Sequence, residues 1–529
     1  NYTIKKYSSQ VLYKRYGVHF MFRYIKDIYC NFFYKSNPQE SVSEKKIPIE
    51  DSISKVLVHF KKEFHSSADL TIRNIVISDT KIALFTMEGM VDKNVLSKSI
   101  VQPIVRHTIH SKSATEKYIE IRDSVLESVE QIEVSSYNDA FQLLMSGFAL
   151  LFVDGNPCIL AIGVQGFNFR GINEPSGEMT QIGPREGFAE PMRINMTLIR
   201  RRMKTPNLKF ETMNVGKQSH TDICLCYLTN VVSETILKEV RKRICEIDIP
   251  NVLASGYISP FLEEKQNVAI FSSIGITERP DTVCGKISEG RIAILIDGTP
   301  NVLIVPYLFS EYFQAVDDYS VRPYFATITR WIKYFAFFSA IILPGLYVAV
   351  GSFNPEILPQ ELITKVAKSI TTTPFPLAIE TLLTHVIYEI MREAGLRLPK
   401  ALGHAVSIVG ALVIGESAVN AGLMGAPTLM VVALAAISSY VIPSLYEPIS
   451  FLRILFIIVG GLFGMWGITL LFCAILINIC SKNNFGIPFS APISPFRFSD
   501  MRDVLIRTSW KFLSKKNDPI QSMPGSEIK

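Results

Sequence analysis

Residues 371–466 read TTTPFPLAIETLLTHVIYEIMREAGLRLPKALGHAVSIVGALVIGESAVNAGLMGAPTLMVVALAAISSYVIPSLYEPISFLRILFIIVGGLFGMW. The stretch combines an amphipathic helix, two closely coupled apolar segments and an acid, Glu416, set within apolar sequence. On a helical wheel from Leu377 to Ala394, Ile379, Leu383, Val386, Ile387 and Ile390 share one face. Thr381, His385, Tyr388, Glu389, Arg392 and Glu393 fall on the other. That pattern fits a helix lying in a membrane interface, or lining a polar path, better than a lipid-exposed span.

Outward from this stretch, apolar segments continue on both sides. Tyr334–Pro355 carries no charge, and its core, Phe335–Val350, is long enough to cross a hydrocarbon layer of about 30 Å. Pro344-Gly345 in its middle predicts a kink. Ala401–Ala426 and Pro427–Tyr446 are the next two spans, joined by a short turn, and Ile454–Cys480 is the fourth. Small residues recur at four-residue spacing, as in Ala411/Gly415 and Ala418/Gly422 in one span and Gly460/Gly464 in another, which lets helices approach closely, and Gly410, Gly415, Gly422, Gly460 and Gly464 are the candidates for helix packing. Glu416 and Asn420 lie one turn apart within the second span, and the spans as drawn offer no cation to pair with the acid. A carboxyl in such a place usually faces an interior path or a partner group. Glu416, Asn420, Glu389 and His385 are therefore the candidates for lining an ion path. His385 and His404 stand isolated, which argues against a metal site.

Charge density divides the chain. Charges are dense up to Lys333, sparse to Cys480 and dense again in the tail. At 529 residues, 48% hydrophobic and 19% charged, with a mean hydropathy of +0.24, the chain is too apolar for an average soluble protein and too charged for a wholly embedded one. The net charge of +6 is modest, and the basic residues sit beside apolar segments, which suits membrane orientation and not nucleic acid. Arg322, Arg330 and Lys333 precede the first span and put the soluble half in the cytoplasm. The basic tail, residues 481–529, points to the same side, so four spans are expected, and five with an external tail if Leu377–Ala394 crosses fully. Eight scattered cysteines without a CxxC pair argue against zinc and a disulfide framework. No signal peptide is visible, and the start at Asn1 instead of Met points to a truncated or processed beginning.

The soluble half carries a repeat. Asn207-Leu-Lys-Phe-Glu answers Asp69-Leu-Thr-Ile-Arg about 140 residues earlier. Val232-Ser-Glu-Thr-Ile-Leu answers Val91-Asp-Lys-Asn-Val-Leu, with Ser233 and Asp92 as helix N-caps. Leu295-Ile-Asp-Gly-Thr-Pro answers Phe152-Val-Asp-Gly-Asn-Pro, and each Asp-Gly predicts a hairpin turn. The fold class expected is a duplicated soluble α/β domain followed by an all-α polytopic membrane domain. Its parts are an N-terminal arm (1–47), a first subdomain (48–170), a basic connecting segment (171–206), a second subdomain (207–330), the membrane domain (331–480) and the tail (481–529). A helix is predicted over Glu116–Ile132. Within the connecting segment, Arg185, Glu186, Arg200, Arg201 and Arg202 are candidates for contact with an anion or partner, set against a plain solvated helix. No phosphate-binding glycine loop, HExxH or Ser/His/Asp set is present, so neither an enzyme nor a cofactor is expected.

Four stretches resemble one family, the A subunits of GerA-type nutrient germinant receptors of endospore-forming bacteria. They are Gly183-Pro-Arg-Glu-Gly-Phe with Leu198-Ile-Arg-Arg-Arg-Met-Lys-Thr-Pro-Asn-Leu; Glu289-Gly-Arg-Ile-Ala-Ile-Leu-Ile-Asp-Gly-Thr-Pro; Pro374-Phe-Pro with Glu389-Ile-Met-Arg-Glu-Ala-Gly-Leu-Arg-Leu-Pro; and Ala405-Val-Ser-Ile-Val-Gly-Ala-Leu-Val-Ile-Gly. The resemblance spans about Ile53 to Lys511, while His404, Glu416 and Asn420 stand where relatives carry Gln or other polar residues. It implies a receptor in the spore inner membrane, with a transporter-like B subunit that holds a nutrient such as an amino acid, and a lipoprotein C subunit. It also implies homo-oligomers forming a ligand-gated ion path. The residues alone leave two other readings open, a solute transporter and a signalling scaffold that the membrane half merely anchors.

Overall fold

The computed structural model describes residues 46–528 apart from 78, 112, 127–129, 167–173, 176, 264–269, 399–414, 499 and 514–518. Two five-stranded sheets make up the region before the long helices. The first contains β1 (Leu70–Ile77), β2 (Thr80–Met87), β3 (Gln131–Val134), β4 (Phe148–Val153) and β5 (Ile159–Gly163), in spatial order β1-β2-β4-β5-β3. The second contains β6 (Leu208–Val215), β7 (Thr221–Leu228), β8 (Gly275–Thr277), β9 (Ile292–Ile296) and β10 (Val302–Val305), in the equivalent order β6-β7-β9-β10-β8. Every pairing is antiparallel. The two Asp-Gly turns do what their sequence demands: Gly155 and Gly298 both have φ of +87°, where a side chain would be strained. Gln131–Val134, read as the end of a helix, is instead the third strand, because its place beside β5 satisfies an edge that local propensity cannot see.

Helices cover both faces of each sheet. In the first, α1 (Ile53–Glu63) and α2 (Tyr137–Leu144) pack Phe60 and Phe141 on one face, with the Phe60 and Phe85 rings 4.0 Å apart. In the second, α3 (Met192–Arg202) and α5 (Pro280–Ser288) cover one face, and α4 (Glu234–Cys245) covers the other. Strand β7 shows the consequence. Ile223, Leu225 and Tyr227 enter one core while Cys224, Cys226 and Leu228 enter the other, as the two-residue period requires. Double burial is why this strand reads as a near-continuous apolar run.

A buried ion pair joins the two sheets. Arg200 on α3 is 1% exposed, and its Nε and Nη2 donate to Asp69 at 2.7 and 3.1 Å. Its remaining donors reach the carbonyls of Thr205 and Leu208. Beside it, Ala68 N donates to Phe210 O at 3.0 Å and Phe210 N to Ser67 Oγ at 3.0 Å.

The second half is a layer of helices. They are α6 (Pro323–Phe353), α7 (Gln360–Thr372), α8 (Leu377–Arg397), α9 (Ala426–Ser439) and α10 (Tyr446–Ser481). Among the described residues, two stretches are long and apolar enough to cross a membrane, Pro323–Phe353 and Pro443–Ser481, and Ala426–Ser439 is a shorter apolar helix. The expected kink at Pro344 is not where the layer turns, for α6 stays helical through that residue. The break lies in α10 at Gly464, with φ 58° and ψ −145°. Ile468 there comes within 3.1 Å of where a Cβ on Gly460 would stand, although eight residues of straight helix span about 12 Å. α10 is thus a hairpin of two arms.

Contacts give each helix its direction. Along the first arm of α10, Arg453 meets Ala340, Gly460 meets Gly345, and Gly464 meets Phe353, so this arm runs parallel to α6. The second arm returns, with Phe472 against Phe338. α8 begins beside Gly351 and ends with Arg392 over Tyr446, so it traverses the whole layer. α9 starts where Thr428 meets Tyr347 and ends where Tyr440 meets Tyr388. Two expectations are corrected. Pro427–Tyr446 is a helix only to Ser439, and the stretch Ile454–Cys480, expected as one straight helix, is folded into two arms, because a left-handed glycine lets the backbone reverse.

The tail is not a free basic extension. Phe485, Ile487, Ala491 and Ile520 complete the core under α4 on the second sheet, and Ile520 N donates to Glu289 O at 2.8 Å. Arg330, read as a free charge flanking a span, is fully buried between Asp318 and Asp503, and Lys333 also binds Asp318. Within the tail, Trp510–Leu513 is a short helix.

Two outcomes are expected for the full chain in detergent. Arg200→Ala leaves Asp69 buried without its cation and lowers stability by about 3–5 kcal/mol, whereas replacing both residues by apolar ones lowers it less; chemical denaturation reads both. Gly460→Val drives a side chain against Gly345 O, 2.6 Å from the added Cβ, and lowers the melting temperature by the equivalent of about 1–3 kcal/mol.

Candidate functional site

α8 is inside out by the standard of a soluble protein. Ile379, Leu383, Val386 and Ile390 of its apolar face are exposed, while Glu380, Thr381, Thr384 and His385 are buried. The polar face therefore turns toward α10 and α9. Of the two placements that the helical wheel left open, a polar face turned inward is the one compatible with lining a polar path.

The inward face builds a charged cluster. Glu389 accepts from Tyr446 Oη at 2.6 Å, Ser450 Oγ at 2.7 Å and Arg392 Nε at 3.1 Å. The Arg392 guanidinium also lies 3.9 Å from the centre of the Tyr446 ring. Arg453 and His385 are both fully buried. Arg453 Nε donates to Ala340 O at 2.9 Å, a carbonyl midway along the uncharged stretch of α6. Its Nη1 lies 3.4 Å from His385 Nε2, and the same His385 nitrogen lies 3.5 Å from Glu389 Oε1. That nitrogen can accept from Arg453 or donate to Glu389, but not both at once. Arg453 Nη2 and His385 Nδ1 have no hydrogen-bond partner among the described residues. Buried donors left unmatched are costly, so this arrangement is poised to accept water, an ion or a second packing state.

One turn toward the other end of α8, Glu380 is 1% exposed. Its Oε1 accepts from Gly425 N at 2.8 Å, capping the start of α9. The sequence reading missed both Glu380 and Arg453. Arg453 fell one residue before the span as drawn, yet a lone Arg within Phe451-Leu-Arg-Ile-Leu-Phe was the available signal. It is a cation on the same helix as that span, and it meets His385 and Ala340 and not Glu416.

The other predicted residues are placed elsewhere. Glu416 and Asn420 lie exposed on a short helix, Gly415–Asn420, and share no hydrogen bond or ion pair with the cluster among the described residues. Gly415 is buried near Leu429, and Gly422, at φ +68°, stands near Thr372 O. Gly410 and His404 lie outside the described residues. In the connecting segment Arg200 is corrected from a partner contact to the internal staple described above. Glu186 takes both Arg201 Nη2 at 2.8 Å and Arg202 Nη2 at 2.7 Å, so these charges hold the segment together. Arg185 is exposed and pairs with Glu174 at 3.2 Å.

The cluster connects to the sheets through the base of α6. Phe309, Phe313 and Phe489 pack with Phe337 in one core that includes the α10 residues Ile449 and Phe456. Below it, Glu311 binds Lys286 Nζ at 2.6 Å, is paired with Arg291, and accepts from Leu308 N at 2.9 Å. Burial pushes the Glu311 carboxyl up, but Arg291 and Lys286 outweigh it and hold the group below its ordinary range.

A protein-family model described as Bacillus/Clostridium GerA spore germination protein matches residues 58–518. The chain belongs to the GerA family. Spore germination protein KA of Bacillus subtilis (strain 168) is 39% identical over 473 residues, 88% of this chain and 86% of that protein. Spore germination protein GerLA of Bacillus cereus is 31% identical over 482 residues, 90% of this chain and 97% of that protein. Among solved structures, the N-terminal domain of the A subunit of the Bacillus megaterium spore germinant receptor GerK3 aligns with a TM-score of 0.40 and 31% identity, covering 50% of this chain and 99% of that one. The resemblance to A subunits of this family, read from four stretches of sequence, is borne out. Both of these curated relatives are spore germination proteins.

The Glu311 pairing sets a pH dependence. A carboxyl held below its unfolded value stabilises the fold above about pH 4.3, and that contribution is lost as pH falls through the folded value. For the native chain this pairing leaves the melting temperature unchanged from pH 7 to about pH 4.5 and lowers it as pH falls further, and Glu311→Gln should flatten part of that acid-side fall while lowering stability at pH 7.

Proposed function

We propose that this chain is the A subunit of a nutrient germinant receptor in the spore inner membrane, and that it turns nutrient binding into an ion flux. The observation that carries the reading is the inward polar face of α8 with Arg453. Charged side chains amid long apolar helices, with apolar side chains turned outward, are the arrangement of a path through a bilayer. The exposed carboxyl of Glu416 supports such a role less well than Glu389 and His385 do.

The germination relatives support the receptor role, and that role brings in a transporter-like B subunit and a lipoprotein C subunit. A nutrient such as an amino acid would bind the B subunit. The outward apolar faces of α8 and α9, with Ile390 and Met430 exposed, suit packing against lipid or a second copy of the chain. Copies arranged round a common axis would gather their paths. The domains are those drawn from the sequence, 48–170 and 207–330 for the soluble subdomains and 331–480 for the membrane part. The tail shares a core with the second sheet, so both lie on one side, and the basic residues favour the cytoplasmic side.

A nutrient signal acts on this chain by favouring one arrangement of the cluster over another. The His385 nitrogen that two partners contest gives the arrangements a physical form. Conductance of liposomes holding the assembled receptor tests this. Glu389→Gln and Arg453→Gln should each change nutrient-dependent conductance tenfold or more, a shift of about 1.4 kcal/mol in the open–closed balance, while Glu416→Leu leaves it within about twofold. A nutrient-binding complex without conductance would sink the ion path and favour the scaffold reading.

A further inference from the structure

Residues 177–186 form neither helix nor strand, yet they are tied down at three points. The first tie is Arg279, which is 2% exposed. Its Nη1 donates to Glu178 O at 3.2 Å and to Thr180 Oγ1 at 3.1 Å, and its Nη2 to Pro184 O at 2.9 Å. Asp281 at the start of α5 takes the rest of the guanidinium, at 3.1 and 2.7 Å. The second tie is the half-buried carboxyl of Glu178. Its Oε2 accepts from Thr277 Oγ1 at 2.6 Å and from Glu278 N at 3.3 Å. Thr277 ends β8, the edge strand of the second sheet. The third tie is Asp317, whose carboxylate accepts from Gln181 N and Ile182 N, both at 3.4 Å. The next residue, Asp318, pairs with Arg330 and Lys333 of α6. The segment therefore strings the edge of the second sheet to the base of α6.

Acids outnumber cations at the middle tie. Glu278 Oε2 accepts from Gly177 N at 3.4 Å, so the Glu178 and Glu278 carboxyls flank one short stretch of backbone. Arg279 offsets them, but Asp281 shares it. From the end of β10, Tyr307 is the further titratable group whose field reaches Glu178. Burial raises the Glu178 carboxyl above its ordinary value and Glu278 adds to the rise, while Thr277, the Glu278 N–H and Arg279 offset only part of it.

We propose that residues 177–186 are a latch on the second sheet, held by Arg279 and by the protonated carboxyl of Glu178, and released when Glu178 gives its proton to water. The sign follows from the environment. A carboxyl raised in the latched state favours latching below its ordinary value, and that favour is lost as pH rises through the raised one. Release parts Gln181 and Ile182 from Asp317, beside the residue that holds Arg330 and Lys333. A rise in pH around the sheets is thus passed to the base of α6. The latch does not depend on the ion path proposed above.

Hydrogen exchange read by mass spectrometry tests this on the full chain in detergent, between pH 5.5 and pH 8.5. Rates are divided by the intrinsic rate at each pH, so that the remaining change reports opening. Protection of peptides covering 178–186 should fall about tenfold or more across that range, while β9 stays protected. Glu178→Gln keeps an uncharged acceptor for Thr277 and should hold the latch closed at both ends of the range. Arg279→Lys loses the fork and should cut protection at pH 5.5 about fivefold or more. Peptides covering 317–322 should loosen together with the latch. Protection independent of pH in the native chain, a fall that survives in Glu178→Gln, or full protection in Arg279→Lys would overturn the latch. The native profile decides the matter by itself if a variant loses its β9 protection. Opening of 178–186 without any change in 317–322 would overturn the coupling to α6.

Discussion

The backbone reversal at Gly464 ties the two halves of the protein together. Positive φ at one glycine folds a long apolar stretch back on itself, and the second arm delivers the tail to the side from which α6 began. There Phe485, Ile487 and Ile520 complete the core of the second sheet. Without the reversal the tail would emerge at the far end, beside Phe353, and that core would lack a wall. The reversal depends in turn on close packing, since Gly460 lies against the backbone of Gly345 and Gly464 against the Phe353 ring. A side chain at either contact would part the helices.

Three buried arginines among the described residues follow one rule. Arg200 sits between Asp69 and two carbonyls, Arg291 pairs with Glu311, and Arg330 lies between Asp318 and Asp503. Each is a buried cation matched by carboxylates, as desolvation requires. Arg453 departs from it. Its nearest acidic group, Glu389, is already engaged by Tyr446, Ser450 and Arg392, and Arg453 meets only a carbonyl and a histidine. The matched pairs hold elements in place, whereas Arg453 keeps one nitrogen without a hydrogen-bond partner among the described residues.

Much of the fold was legible in the sequence. The Asp-Gly turns and alternating strands identified both hairpins, and the repeat spacing anticipated two sheets of equivalent strand order. The helical wheel of α8 separated its faces correctly, since the 3.6-residue period is a local property. What the wheel could not say was which face turns inward. In water the apolar face would be buried; here it is exposed, and the polar face finds Tyr446 and Ser450, some sixty residues away in sequence. The short strand β3 was read as helix for a related reason, because its identity comes from pairing with β5 and not from its own residues.

Periodicity, turn chemistry and charge distribution are encoded between near neighbours, so the sequence by itself determined most element types, the repeat before the long helices, the apolar helices and the family. The direction of each helix, the partner of each buried charge and the return of the tail depend on contacts between residues tens to hundreds of positions apart. Only the tertiary structure decided them. A glycine such as Gly464 is compatible with straight helix or sharp reversal, and packing against Gly345 and Phe353 selects between the two. An arginine such as Arg453 reads as the edge of a span until the fold buries it beside His385.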